Sequence, residues 1–487
     1  MPPPRRLLGL VALALAFILA GCSAQTGFGG LRVLGEADTL MSEAEEIDLG
    51  AQEHPKIVAA FGGDYVNPVL QPGLEKIVNR LSRASDRPDL TYQVTVLNSP
   101  SVNAFALPGG YLYVTRGLLA LANDADELAA VLAHEMSHVS ARHAAKRQSE
   151  ALRAVFLGRI SDVLRDPAAL GQALRGSDAM IANFSRNQEL EADEMGVETA
   201  VRAGFDPFGA VSFLRVMSRD ADARARTLGR EPDEHRPNLD SSHPTTEDRI
   251  RRVIALAGDL GFAPGKRARE QSAYLAMIDG MLYGDDPAEG YARGRRFLHP
   301  GHRFTFSVPE GFSLQNSHEA VFAVGAEDTA LRFDSVEVAT DETLEEYVAS
   351  VWARGTDVRN LRGETINGLP AALAEATHDG WEYRMAAVRF APERVYRFLF
   401  AARSIDAKAE SDFARIVASL RPLSEEEAAA LKPLRVRTVT ARAGDSVKTL
   451  ARRMADVDRP EERFRLINGL APGEEVRAGQ KVKLIAE

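Results

Sequence analysis

Residues 124–140 read D-A-D-E-L-A-A-V-L-A-H-E-M-S-H-V-S. The run from Asn123 to Glu127 is an acidic N-cap cluster, and Leu128 to Val139 then carries a helical pattern. On that helix Leu128, Val131, Leu132 and Val139 can be buried while His134 and His138 face a cleft. The two histidines are i and i+4, one turn apart on one face, so both imidazoles can reach one Zn²⁺ at about 2.0–2.1 Å. Glu135 stands beside them and can take a proton from a water that the metal acidifies. Two histidines and a glutamate on a half-buried helix would cost desolvation with no return if no cation were held there. The expectation is one zinc ion per chain.

A catalytic zinc takes three protein ligands and keeps one position open. A third histidine six residues after His138 is ruled out, because that position is Ala144. His143 stands about 140° around a continued helix from His138, which assigns it a structural or cleft-rim role. A carboxylate from a second helix remains. Residues 184–193, F-S-R-N-Q-E-L-E-A-D, start such a helix, which runs to Arg202 and ends at Gly204. Glu189 and Asp193 share a face, so Glu189 reads as the ligand and Asp193 as the support for a histidine N–H. Glu191 points away and reads as solvated. Arg186 and Arg249 are both candidate partners for these carboxylates, and the sequence does not choose between them.

Outward from these helices the chain is long, 487 residues, which suits two to four domains. Its 45% hydrophobic and 26% charged residues exclude wholesale disorder. A net charge of −10 argues against a general nucleic-acid binder, and the single Cys excludes a disulfide framework. Before the zinc helix lies a strand-like patch, Tyr92–Val96, Ala104–Leu107 and Tyr111–Val114, with Pro108-Gly109-Gly110 as a turn. Leu112, Tyr113 and Val114 read as an edge strand that would bind an extended substrate by strand addition. Residues 144–182 are amphipathic and Arg-rich, the pattern of a helical lid.

The expected fold class is α+β and multidomain. A mainly helical domain with a small sheet covers 44–260, a helical connection 261–300, and a second α+β domain 301–421. A linker follows at 422–434 and a small separate module at 435–487. At the amino terminus Arg5 and Arg6 precede an apolar run from Leu7 to Ala20, ending Leu19-Ala20-Gly21-Cys22. That run is too short to span a bilayer and fits a secretory signal. It resembles the lipobox of bacterial lipoproteins, which makes 1–21 a signal peptide, Cys22 the lipidated residue and 22–43 a tether. Ser23 in place of Asp then points to the periplasmic face of the outer membrane.

H-E-x-x-H followed by Ser185-Arg186-x-x-Glu189-x-x-x-Asp193 resembles the zinc metallopeptidases related to the CAAX prenyl proteases, in their soluble bacterial periplasmic branch. Asn103–Gly110 with Tyr111–Val114, Ala133–His143, and Ser242-His243-Pro244-Thr245 ending in Arg249-Ile250 add to the likeness, which spans about 40–260. It implies a gluzincin-type domain, with His134, His138 and Glu189 as ligands, Glu135 as general base and Asp193 behind them. It also implies that His243 lies near the site, where it either stabilises the oxyanion or occupies the open zinc position. Residues 435–487 are similar to a LysM domain of βααβ order, through Thr440–Ala451, Leu466–Leu470 and Val476–Leu484. This module lacks Trp and Tyr but is basic, with 13 Lys or Arg against 8 Asp or Glu from Lys432 on. Peptidoglycan is therefore a candidate partner.

The activity expected is zinc-dependent endopeptidase action on unfolded or misassembled periplasmic and outer-membrane proteins. The alternatives are a chaperone or assembly factor for outer-membrane proteins with a latent zinc site, or a cell-wall-binding scaffold.

Overall fold

The computed structural model describes residues 41–146, 184–227, 247–265 and, apart from breaks at 326–328, 379, 456 and 458, residues 271–487. The signal segment with Cys22, nearly all of the 144–182 stretch and His243 lie outside the described residues.

Helix α1 (Glu43–Ala60) starts at a capping box in which Ser42 and Glu45 bond each other's backbone N–H. Helix α2 (Leu70–Ala84) buries Leu70, Leu74, Ile77, Val78 and Leu81, one stripe at helical spacing. Three strands follow: β1 (Gln93–Leu97), β2 (Ala104–Leu107) and β3 (Tyr111–Thr115). The turn between β2 and β3 uses Gly109 and Gly110 at φ 84° and 90°. A Cβ on Gly110 would also meet the Thr91 carbonyl at 2.4 Å.

The sheet order is β1-β3-β2, with β1 parallel and β2 antiparallel to β3. This corrects the expectation for Leu112, Tyr113 and Val114. Their strand is central and paired on both sides, and all three side chains are fully buried. β3 has no open edge to offer a substrate. Among the described residues, the strand beside the next long helix with only one partner is β2.

Helices α3 (Arg116–Leu121) and α4 (Ala125–Ser140) come next. Asp124 caps α4 by accepting the Glu127 N–H at 2.9 Å. Leu128, Ala129, Leu132 and Ala133 are fully buried in the largest apolar cluster. Around α4 pack α2, β2, α5 (Arg186–Arg202) and α6 (Phe208–Thr227). Gly196 on α5 permits the closest approach, since a Cβ there would stand 3.0 Å from the His134 backbone nitrogen. Helices α7 (Glu247–Asp259) and α8 (Gln271–Ile278) complete this part.

The 261–300 stretch, expected to be a helical connection, is helical among its described residues only in α8. It continues as β4 (Leu282–Tyr283), β5 (Tyr291–Arg293) and β6 (Arg296–His299). β5 and β6 form a hairpin across Gly294, at φ 57°, and with β7 (Phe304–Ser307) belong to a separate four-stranded sheet. The following α+β part holds a seven-stranded antiparallel sheet. It contains β8 (Ser313–Asn316), β9 (Val321–Val324), β10 (Ala330–Glu337), β11 (Asp357–Ile366), β12 (Leu369–His378), β13 (Trp381–Arg389) and β14 (Arg394–Ala402). One face packs on α9 (Leu344–Tyr347), the other on β6, β7 and α10 (Ala407–Ala418).

The short strand β15 (Arg421–Pro422) and α11 (Glu425–Ala430) lead to β16 (Leu434–Thr440), α12 (Val447–Ala451), α13 (Pro460–Ile467) and β17 (Lys481–Ala486). β16 and β17 pair antiparallel around the two helices, and β16 also pairs with β4. Val436, Leu450, Phe464 and Ile485 belong to the same apolar cluster as the zinc-helix core. The carboxy-terminal segment, which the sequence sets apart as a separate module, shares this core.

Candidate metal centre

The site is built from α4 and α5. His134 and His138 come from consecutive turns of α4, and Glu189 from the first turn of α5, where Ser185 and Gln188 form a capping box. All three side chains are buried. His134 Nε2 lies 3.1 Å from His138 Nε2 and 3.5 Å from Glu189 Oε2, and His138 Nε2 lies 3.6 Å from Glu189 Oε1. A tetrahedral zinc ion with bonds of about 2.0–2.1 Å has edges of about 3.3–3.4 Å between its ligand atoms. The donor set therefore fits zinc in both chemistry and spacing.

Behind the donors stands Asp193, whose Oδ1 is 3.0 Å from His134 Nδ1. Arg249 settles the question the sequence left open. Its Nε and Nη2 bond both Asp193 oxygens at 2.7 Å, and its Nη1 reaches Glu189 Oε2 at 2.8 Å. Arg186 instead faces solvent and pairs with Asp248. Burial alone would raise the Asp193 carboxyl, but the Arg249 guanidinium outweighs it and holds the group below its ordinary value. Burial likewise opposes a charge on His134. Its hydrogen bonds to the Asp193 and Glu189 carboxylates prevail and raise it to about 10.

Two other residues sit differently from their sequence reading. Helix α4 ends at Ser140 and Arg142 adopts φ 56°, so His143 is no longer on the helix. The chain folds back, and His143 is fully buried with its Nδ1 2.8 Å from His138 Nδ1. Glu191, read as merely solvated, is half exposed and places Oε2 3.2 Å from His143 Nε2. Phe184, which the sequence reading passed over, stacks on the His138 ring at 3.9 Å between centroids. Only the aromatic immediately before the α5 cap could have signalled it.

Glu135 is buried and lines a cleft with His134, Asn103, Ala104, Phe213 and Met217. The β2 segment thus passes beside the glutamate. Asn103 O accepts the Thr115 N–H, so the antiparallel alternation turns the N–H and C=O of Ala104 and Ala106 outward.

Two imidazoles, a carboxylate from a second helix and a glutamate next to the first imidazole are the side chains with which a metallopeptidase holds its metal and moves a proton. Residues 68–257 match the model of Peptidase family M48. The mitochondrial metalloendopeptidase OMA1 of Schizosaccharomyces pombe is 30% identical over 42% of this chain and 58% of its own length. The beta-barrel assembly-enhancing protease of Yersinia pestis is 30% identical over 45% of each chain, and that of Escherichia coli strain K12 is 28% identical over 38% of each. The chain spans less than two thirds of the length of these curated relatives.

Proposed function

We propose that the chain is a zinc-dependent endopeptidase of the bacterial envelope that cleaves unfolded or misassembled periplasmic and outer-membrane proteins. The observation that carries this reading is the convergence of His134, His138 and Glu189 within ligand spacing, with Glu135 buried beside them. The name of the Yersinia and Escherichia relatives, beta-barrel assembly-enhancing protease, supports the substrate class.

When bound, zinc would supply a Lewis acid that acidifies water and polarises the scissile carbonyl. Glu135 takes the proton of the attacking water onto its carboxylate and returns it to the leaving amine. Asp193 holds the Nδ1–H of His134 and so keeps its Nε2 available, while Arg249 neutralises Asp193 and Glu189. The outward backbone groups of Ala104 and Ala106 would hold an extended substrate by strand addition, the role first given to β3. Such main-chain recognition favours unfolded segments over one sequence motif. His243 remains assigned either to the oxyanion or to the open metal position.

Glu135→Gln is expected to keep zinc by elemental analysis while cleavage of denatured casein falls by at least about 100-fold. A chelator should abolish wild-type cleavage. Undiminished turnover in the variant would refute the role of Glu135.

The same proposal places the chain at the periplasmic face of the outer membrane through an acylated Cys22. It also gives the basic residues 435–487 a hold on the cell wall. Purified peptidoglycan should sediment the full chain at low salt and release it as salt rises; a chain that stays in the supernatant at low salt removes the wall from the proposal.

A further inference from the structure

On the side of its ring away from Glu189, His138 turns Nδ1 to His143. We propose that His143, held by Glu191, is a positioning residue that fixes the tautomer and ring direction of His138, so that Nε2 faces His134 and Glu189. The inference rests on the zinc reading of the site.

An imidazole on a helix can spin about χ2, and a neutral ring can carry its proton on either nitrogen. His138 offers a lone pair at Nε2 only if its proton sits on Nδ1. That nitrogen is 2.8 Å from His143 Nδ1. Two ring nitrogens at this distance need one donor and one acceptor. If His138 Nδ1–H donates, His143 accepts at Nδ1 and carries its own proton on Nε2. His143 Nε2 is 3.2 Å from Glu191 Oε2, and a carboxylate can only accept. One carboxylate at the end of the line therefore sets both tautomers in series, and each contact has a single consistent direction.

The backbone is shaped for this contact. On a continued helix His143 would point away from His138. The left-handed Arg142 turns it back, and Arg142 is itself anchored by Glu46 at 3.0 Å and by the Met41 carbonyl. Phe184, stacked on the ring with 20° between planes, limits the remaining rotation. The two imidazoles are thus held by different devices: His134 by Asp193 and Arg249, His138 by His143 and Glu191.

The test is zinc affinity of the full chain, measured by competition with a chromophoric chelator at fixed pH. His143→Leu removes the acceptor and should weaken zinc binding about 10–100-fold. His143→Asn places an amide oxygen near the position of Nδ1 and should recover most of the loss. The visible spectrum of the cobalt-substituted chain should change in the Leu variant and return in the Asn variant. Glu191→Ala, at a half-exposed position, should give a smaller loss and keeps the test open if the Leu variant does not fold. Wild-type affinity in His143→Leu or in Glu191→Ala, or equal losses in Leu and Asn, would overturn the positioning role. A wild-type chain that binds no zinc would overturn the underlying zinc reading and this inference with it.

Discussion

Arg249 joins the two buried carboxylates that serve the site. It pairs with Glu189 at 2.8 Å and with Asp193 at 2.7 Å, all three being buried. Removing one partner of such a network leaves the others as uncompensated charges, at a cost of about 3–5 kcal/mol. Arg249→Met should therefore lower the unfolding free energy of the metal-free chain by that order, read as a lower urea midpoint; an unchanged midpoint would deny the arginine this role. The carboxylates themselves were legible, because the i, i+4 spacing of Glu189 and Asp193 is a local property of one helix. Their partner was not. Arg249 is 56 residues from Asp193, and Arg186 offered the same charge nearer by. The structural role read for His143 stands, but its contact with His138 was not legible for a related reason: a continued helix would point it away, whereas Arg142 leaves the helix in the left-handed region.

Among the elements, the distance between α4 and α5 decides whether Glu189 can meet the histidines. Gly196 sets that distance, with a Cβ there facing His134 N at 3.0 Å, His134 Cα at 3.1 Å and the Ala133 carbonyl carbon at 3.2 Å. These are backbone atoms of a packed helix and cannot step aside. Gly196→Ala should cost about 1–3 kcal/mol of stability by overpacking. It should also weaken zinc binding, since Glu189 moves with α5. Denaturant unfolding and chelator competition check both, and a neutral variant would mean the helices have slack. The helices and the three strands could be placed from caps, turns and periodicity. Strand order could not. Pairing β3 between β1 and β2 is a choice among non-local contacts, and it moved the open edge from Leu112–Val114 to β2. β11 went unflagged because its mostly exposed side chains show no apolar alternation.

Across the whole molecule, the carboxy-terminal segment is tied to the zinc-helix domain. Lys483 is buried, and its Nζ donates to the carbonyls of Ala120, Leu121 and Ala122, just before the α4 cap. Arg219 of α6 likewise donates to Leu470 O at 2.7 Å. Burial pushes Lys483 from the ordinary 10.5 down to about 7, against the pull of Glu127 and Asp124. The folded chain then binds fewer protons at this site than the unfolded chain between about pH 7 and 10.5. Stability should rise with pH across that window, and the penalty is fully present below about 7. The urea midpoint should climb from pH 7 to 9 in the wild type. In Lys483→Met it should lie lower and climb less, because the carbonyls lose their donor and the titrating group is gone. Equal slopes in the two proteins would place the lysine outside this account.

What the sequence alone determined is the local chemistry: two histidines and a glutamate at helical spacing, a second helix with a paired carboxylate face, the caps and the glycine turn. Each follows from the geometry of a few consecutive residues. Only the tertiary structure decided which arginine neutralises the carboxylates, which strand keeps an edge, where His143 turns and how the last fifty residues join the core. Those outcomes depend on packing between residues tens to hundreds of positions apart, and no local pattern carries that energy.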